Sequence, residues 1–416
     1  MHFTSHQIDE GELAGEPEQI KGGVANEDSI RNRAQDFWHL VGWAFNSSVN
    51  NPRRWRYWKI WLEYMLDVLD RDWIERESRD RETGQSSFGS GIDPEDEQPE
   101  SMLAKSLLIR YLSDVRGSSS AIRRVVRAAF ANGGPDDLRA YPEIFKEETK
   151  DSEIQANQKG KRQYEYQARL SWESANNDED VAMSSRVSEF GESCYTYSDD
   201  ETAMTARAAI LGGAESIGLR QRVLALLSRA SAVLPEQFAP LKDVYDIYYE
   251  GVRNLPLKAF SFFISPSSVS RFPDSVLVTL IQLVLNHLTQ NLGSRVQRIA
   301  HRSDDTLSQS VLESRYLPFC ANTSSADDNA KVSILVENLF RLFLKSCTVY
   351  YTPTLEAAIE EGILARERRI KIDKRKKETH TRKMDAEYSM ICLRASGTRL
   401  RSLLAWVERN GSSIEA

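Results

Sequence analysis

Residues Pro52 to Glu77 read PRRWRYWKIWLEYMLDVLDRDWIERE, and this stretch decides the fold class. Apolar side chains recur there every three or four residues, which is the period of one face of an α-helix. One apolar face carries Trp55, Trp58, Leu62, Met65, Leu66, Leu69 and Trp73. A second apolar face beside it carries Tyr57, Trp61, Tyr64 and Val68. A helix that is apolar over most of its circumference is expected to be buried on more than one side, so the pattern predicts a central helix.

The same helical period continues on both sides of this stretch, and an alternating strand pattern is missing from the sequence. The sequence therefore predicts an all-α protein, built as an irregular stack of helical hairpins with disordered acidic insertions. Helix pairs of roughly 35–45 residues are also compatible with a HEAT- or armadillo-like solenoid. No repeat of fixed period is found, however, and no segment carries the signature of a known family.

Composition shifts predict the boundaries of the units. The net charge of −7 is an average over unlike parts, since residues 147–201 hold fourteen acidic and six basic side chains while residues 366–383 hold three acidic and ten basic ones. Polar, acidic stretches of this kind are typical of disorder. The predicted units are an acidic disordered tail (1–28), a Trp-rich helical block (29–146) with a flexible insertion (78–100), an acidic disordered linker (147–203), a second helical block (204–410) and a tail (411–416).

Several classes of protein are disfavoured by composition. The four cysteines form no CxxC pair and the six histidines are scattered, which argues against a zinc module and against a secreted disulfide scaffold. The N-terminal residues lack the basic and apolar regions of a secretory signal. Apolar runs are far shorter than the roughly 20 residues that cross a bilayer. We therefore expect a protein of a reducing compartment that does not bind membranes.

The start of the decisive stretch interleaves cations with aromatic rings. Its basic residues are Arg53, Arg54, Arg56 and Lys59. Cations that pair with phosphates beside rings that stack on bases are typical of single-strand nucleic-acid binding. The aromatic residues also fit the helical period, so packing in the core, with the cations on the exposed remainder of the helix, is the favoured interpretation.

The most basic run of the chain is 366–383. Its basic residues are Arg366, Arg368, Arg369, Lys371, Lys374, Arg375, Lys376, Lys377, Arg382 and Lys383. Three interpretations stay open: a nuclear import signal centred on the tetrabasic cluster, a surface that neutralises nucleic-acid phosphates, or a solvated helix.

A serine within the acidic linker resembles the substrate of an acid-directed kinase. Ser198 is followed directly by Asp199, Asp200 and Glu201. A phosphate there would add about −1.5 to −2 charges and create a docking point for a basic partner. An unmodified solvated tract explains the same pattern.

Catalytic chemistry has no support in the sequence, which contains no phosphate-binding glycine loop, nucleophile elbow or HExxH motif. His39 lies among apolar helical positions and is expected to be packed. Asp327 and Asp328 stand near a predicted helix start, where the helix dipole accounts for them. We therefore predict no catalytic residue, cofactor, metal ion or small-molecule ligand.

These observations favour a non-enzymatic α-helical scaffold or adaptor subunit of an intracellular complex, located in the nucleus or otherwise in the cytoplasm, with other proteins as partners. The alternative is a chromatin- or RNA-associated subunit that binds nucleic acid through 366–383. Five arginines of the first block are expected to assist it: Arg110, Arg116, Arg123, Arg124 and Arg127. An enzyme on an unrecognised helical scaffold is the third hypothesis.

Overall fold

The protein is described by a computed structural model that covers residues 30–87, 101–113, 118–145, 148, 210–266, 272–289, 307–370 and 380–411. Within these ranges the regular structure consists of helices, and no strand occurs. The prediction of an all-α fold is therefore confirmed. None of the helices in the described ranges combines the length and the apolar character required to span a bilayer.

The first helical block contains six α-helices and one 3₁₀ turn within the described residues. They are α1 (Ile30–Arg33), α2 (Phe37–Asn50), α3 (Pro52–Ser87), the 3₁₀ turn Met102–Lys105, α4 (Leu107–Leu112), α5 (Ser119–Ala128) and α6 (Pro135–Ala140).

The second block continues the series. Its helices are α7 (Ala214–Val233), α8 (Leu241–Arg253), α9 (Leu257–Ile264), α10 (Asp274–Thr289), the short α11 (Gln309–Val311) that runs into a π-helical turn (Leu312–Tyr316), α12 (Ala326–Ser346), α13 (Pro353–Arg369) and α14 (His380–Gly411).

Helix α2 is the central helix of the first block. Every residue from Phe37 to Val49 is buried, because α2 packs against α3, α5 and α6. The polar residues on α2 keep hydrogen-bond partners inside the core. Asn46 Nδ2 donates to the carbonyl oxygens of Asp137 and Tyr141 at 3.1 and 3.2 Å. The predicted packing of His39 is confirmed, since its Nε2 lies 2.9 Å from the Pro142 carbonyl oxygen.

The prediction that α3 is a central helix, buried on more than one side, is confirmed only in part. Its first apolar face is buried as expected, with Trp55, Trp58 and Trp73 in the core. Only part of its second face turns towards solvent: Tyr57 and Tyr64 are 71% and 66% exposed, whereas Trp61 packs against the core. Helix α3 packs against α2, the 3₁₀ turn, α4 and α7, and the part of its second face at Tyr57 and Tyr64 stays open to solvent.

Helix α3 also runs past Glu77, through the first ten residues of the predicted flexible insertion (78–100), and ends at Ser87. Ion pairs between residues four apart support this polar extension, among them Arg76–Asp72 and Arg79–Glu75, both at 2.8 Å. Asp80 adds a tertiary anchor, because its carboxylate accepts the backbone N–H groups of Met102 and Leu103 at the start of the 3₁₀ turn. The remainder of the insertion, 88–100, lies outside the described residues.

In the second block α12 has the place that α2 has in the first. Every residue from Asn329 to Phe340 is buried, and α12 packs against α9, α10, α13 and α14. Its buried polar residues are paired: Ser333 donates to Ser396 Oγ at 3.0 Å, and Glu337 lies 2.7 Å from Arg399. Each block is thus organised around a helix enclosed by several others. The solenoid arrangement stays a prediction.

The two blocks share buried contacts. Arg220 of α7 is fully buried, and its guanidinium donates to the Ala129 carbonyl oxygen at 2.9 Å and to the Phe45 carbonyl oxygen at 3.4 Å. It lies over the Phe45 ring at 4.2 Å from the centroid. Burial lowers the pKa of Arg220 to about 9. This arginine therefore fastens α7 to the helices of the first block.

Candidate interaction surface

The outer side of α3 exposes three large apolar side chains in a row. Tyr57, Ile60 and Tyr64 are 71%, 65% and 66% exposed. Their spacing of three and four residues places them on one side of the helix. Single exposed apolar residues are ordinary, whereas a contiguous row marks an interaction site. We call these three residues, together with the exposed Arg53, Arg56 and Arg71 around them, the α3 surface.

The opposite side of the same helix fixes this surface in place. Trp55, Trp58, Leu62, Leu66, Leu69 and Trp73 are all buried there. Because the two stripes lie on opposite sides of one rigid helix, the exposed residues keep a fixed spacing along about 11 Å between the backbones of Tyr57 and Tyr64. The α3 surface is therefore a preorganised surface rather than a loop.

The basic part of the α3 surface consists of its three arginines. In the described part of the chain, Arg53, Arg56 and Arg71 take part in no salt bridge or hydrogen bond. The acidic neighbours on α3 have other partners: Asp67 lies 2.7 Å from Arg222, and Glu63 faces Lys59 at 4.0 Å. Three cations thus frame the apolar row.

The structure divides the four predicted basic residues of this region into two pairs. Arg53 and Arg56 are exposed, as the favoured interpretation expects. Arg54 Nε instead donates to the Glu148 carbonyl oxygen at 2.5 Å, and Lys59 Nζ lies 2.8 Å from Glu215. Two of the cations therefore hold other parts of the chain.

Glu148 is clamped against the buried side of this region. Its two carboxylate oxygens accept the indole N–H groups of Trp43, at 3.1 Å, and of Trp58, at 2.6 Å. Burial raises the pKa of Glu148, and the indole hydrogen bonds counteract this only in part. With Trp58 in this role and Trp55 in the core, neither ring presents a face for base stacking, and the aromatic rings that the described start of α3 exposes most are those of Tyr57 and Tyr64.

A second feature is an arginine-lined cleft of about 480 Å³ on α5. Its lining is Ser119, Ser120, Arg123, Arg124, Arg127, Ala140 and Tyr141. Three of the arginines predicted to assist nucleic-acid binding therefore meet here. Each faces a carboxylate: Arg123 pairs with Glu250, Arg124 with Asp36, and Arg127 lies 3.9 Å from Asp137. The cleft is therefore largely neutralised, unlike the α3 surface.

The other arginines assigned to that role lie elsewhere. Arg110 is exposed on α4. Arg116 lies outside the described residues.

The described part of the basic run contributes mainly to the fold. Arg366 is buried, and its Nη1 donates to the carbonyl oxygens of Leu317 and Phe319 at 3.1 and 2.9 Å. Burial lowers the pKa of Arg366 to about 10. Arg369 donates to the Asn322 carbonyl oxygen at 2.7 Å, while Arg368 is exposed.

Other predicted residues lie outside the described part of the chain. They are Ser198, Lys371, Lys374, Arg375, Lys376 and Lys377, together with the side chains of Arg382 and Lys383.

Sequence reasoning missed the buried arginines and the anchor at Glu148. A signal for Arg220 exists, because it stands four residues after Ser216 and one turn before Leu224, within the apolar stripe of α7. Glu148 offers no such signal, since only the fold brings it to two tryptophans ninety or more residues away in sequence.

The protein is thus an all-α protein in which one side of α3 presents apolar and basic side chains to solvent. Comparisons of the chain with models of protein families, with curated proteins and with solved structures found no match.

Proposed function

We propose that this protein is a non-enzymatic helical scaffold or adaptor that binds other proteins through the α3 surface. The observation that carries the proposal is the exposure of Tyr57, Ile60 and Tyr64 on a helix anchored by three buried tryptophans. Tyrosine and arginine are the residue types enriched at protein interfaces and among their energetic hot spots. A rigid row of them loses little conformational entropy on binding.

The proposal is tested by affinity purification of the intact chain and of a triple variant, Tyr57→Ala/Ile60→Ala/Tyr64→Ala. Hot-spot truncations cost roughly 1–2 kcal/mol or more each, so a partner of this surface is expected to be recovered at least tenfold less. The matched control is Phe262→Ala/Tyr350→Ala/Trp406→Ala, which removes three exposed apolar side chains that are scattered over the second block.

The proposal is contradicted if both variants fail to recover the same proteins, or if both recover every protein that the intact chain recovers. Circular dichroism of both variants confirms that the helices are intact.

A nuclear location is part of the proposal and is supported by the cluster Lys374–Lys377. Deleting 366–383 would also remove Arg366, whose contacts stabilise the fold. The sharper experiment replaces only Lys374, Arg375, Lys376 and Lys377 by alanine in a fluorescent fusion. We expect loss of nuclear enrichment, and an unchanged distribution contradicts the targeting role.

The second candidate function, nucleic-acid binding, is supported by the charge of +7 in 366–383. Each phosphate contact contributes about 0.7–0.9 to the slope of log affinity against log salt concentration. The same four substitutions are therefore expected to flatten that slope by about 3 if the cluster binds phosphates. Binding that is absent or independent of salt removes this candidate.

A further inference from the structure

The structure describes the chain at Glu148 and again from residue 210, and residues near both points contact α3. On one flank, Glu148 is held by Trp58 at 2.6 Å and by Arg54 at 2.5 Å. On the other, Glu215 at the start of α7 lies 2.8 Å from Lys59. At 100° per residue, Arg54 and Lys59 lie on opposite sides of the buried stripe, to which Trp58 belongs. Described residues close to both ends of the intervening stretch therefore contact the same two turns of α3.

Part of this intervening stretch is complementary to the α3 surface in charge and in apolar content. Residues 163–201 contain ten acidic and two basic side chains, a net charge of −8. The same residues include six aromatic side chains: Tyr164, Tyr166, Trp172, Phe190, Tyr195 and Tyr197. The α3 surface offers three arginines that have no partner among the described residues, placed around an apolar row. Opposite charge combined with apolar contact is what a specific docked peptide requires.

The connection between Glu148 and the acidic segment is long enough for that segment to reach the α3 surface. Residues 149–162 can span at most about 46 Å when extended. The distance along α3 from Arg53 to Arg71 is about 27 Å. A tethered segment also binds at an effective concentration in the millimolar range, which favours it over a free partner of equal intrinsic affinity.

We propose that the acidic segment 163–201 of this same chain docks on the α3 surface. Its carboxylates pair with Arg53, Arg56 and Arg71, and its aromatic side chains contact Tyr57, Ile60 and Tyr64. The inference rests on the proposed function, because it names what a protein partner must displace from that surface. Deletion of 163–201 is then expected to increase partner recovery.

The test uses the purified full-length chain with no partner present. A photo-reactive amino acid replaces Ile60, and the products of irradiation are digested and sequenced by mass spectrometry. We expect an adduct that joins position 60 to a peptide within 163–201. The matched control carries the same photo-reactive residue in place of Phe262, which is 58% exposed in the second block. Mixing chains with light and heavy isotope labels separates adducts within one chain from adducts between copies.

Charge is tested in the same assay. Three exposed ion pairs of ordinary strength correspond to about a tenfold change in an equilibrium constant. The variant Arg53→Glu/Arg56→Glu/Arg71→Glu is therefore expected to lower the adduct yield by up to about tenfold. Salt at 1 M, applied to the chain with all three arginines intact, is expected to lower it in the same direction.

The inference is overturned if position 60 gives no adduct with 163–201, if it gives adducts only between copies, or if it reacts with co-purifying nucleic acid instead. It is also overturned if position 262 gives an equal yield of adducts with 163–201, or if neither charge reversal nor salt changes the yield from position 60. The outcome is separable from that of the proposed function. An intrachain adduct without any surface-dependent partner supports the inference and refutes the scaffold proposal. A partner that depends on the α3 surface, found without an intrachain adduct, supports the scaffold proposal and refutes the inference.

Discussion

Helices α2 and α3 are adjacent in sequence and rich in aromatic residues, yet they meet different surroundings. Helix α2 is buried from Phe37 to Val49, whereas α3 buries one stripe and exposes Tyr57 and Tyr64 on the other side. Their composition does not account for the difference. Helix α2 is enclosed by α3, α5 and α6, whereas the neighbours of α3, which are α2, the 3₁₀ turn, α4 and α7, leave its outer side to solvent. Apolar periodicity identifies a helix, while the placement of its neighbours around it decides which apolar face becomes core and which becomes surface.

The largest expected effect is in the core of α2. The substitution Phe45→Ala is expected to lower the free energy of unfolding by about 3–5 kcal/mol, because Phe45 is wholly buried and supports the guanidinium of Arg220. Denaturation by urea, followed by circular dichroism, measures the change. Tyr57→Ala is the control on α3, and an equal loss in both variants would contradict the difference between the two helices.

The second effect concerns the contact between the blocks. We expect Arg220→Ala to cost about 2–4 kcal/mol, since it leaves a cavity and removes the donor from the buried carbonyl oxygens of Ala129 and Phe45. Arg222→Ala is the control two residues away. It removes partly exposed ion pairs with Asp67 and Asp70 and is expected to cost about 1 kcal/mol. If the two variants unfold at the same urea concentration, Arg220 is not the fastening residue.

A smaller effect is expected where α2 touches Tyr141. A Cβ atom added at Gly42 would lie 2.2 Å from Tyr141 Cγ, so Gly42→Ala forces the ring or the helix to shift. We expect a loss of about 1–3 kcal/mol in unfolding free energy. A Cβ atom added at Gly218 of α7 would meet no atom within 4 Å outside the backbone of its own helix. Gly218→Ala is therefore expected to stabilise the protein by about 0.5–1 kcal/mol. Destabilisation of equal size at both glycines would show that close packing at Gly42 is not the cause.

The smallest effect on stability is expected on the α3 surface. The double substitution Tyr57→Ala/Tyr64→Ala removes mostly exposed atoms and should change the unfolding free energy by about 0.5 kcal/mol or less. Trp58→Ala, on the buried side of the same helix, is expected to cost several kcal/mol. A large loss in the double variant would mean that the two tyrosines are part of the fold rather than a binding surface.

Much of the fold could be predicted from the sequence where local spacing determines it. The buried stripe from Trp55 to Trp73 follows from helical period alone, and the apolar runs of α10 and α12 were recognisable for the same reason. The end of α3 could not be predicted in this way, because its extension to Ser87 depends on ion pairs one turn apart and on the hydrogen bond that Asp80 accepts from Met102. Polar composition alone suggested a flexible insertion at that point.

The candidate site was predictable only in part. The sequence indicated a basic and aromatic region at the start of α3, but it could not separate Arg53 and Arg56, which are exposed, from Arg54 and Lys59, which bind Glu148 and Glu215. The partners of those two cations are distant in sequence. In the same way, Arg366 looks like one more charge of a basic run until the loop at Leu317 is seen to enclose it.

By itself the sequence determined the helical class, the existence of a Trp-rich core and the uneven distribution of charge, because these depend on residue type and on spacing within one helix. Only the tertiary structure decided that α2 is enclosed from Phe37 to Val49, that Arg220 and Arg366 are buried, and that Tyr57, Ile60 and Tyr64 of α3 face solvent. Burial is a property of the neighbours that pack against a side chain, and those neighbours come from distant parts of the chain.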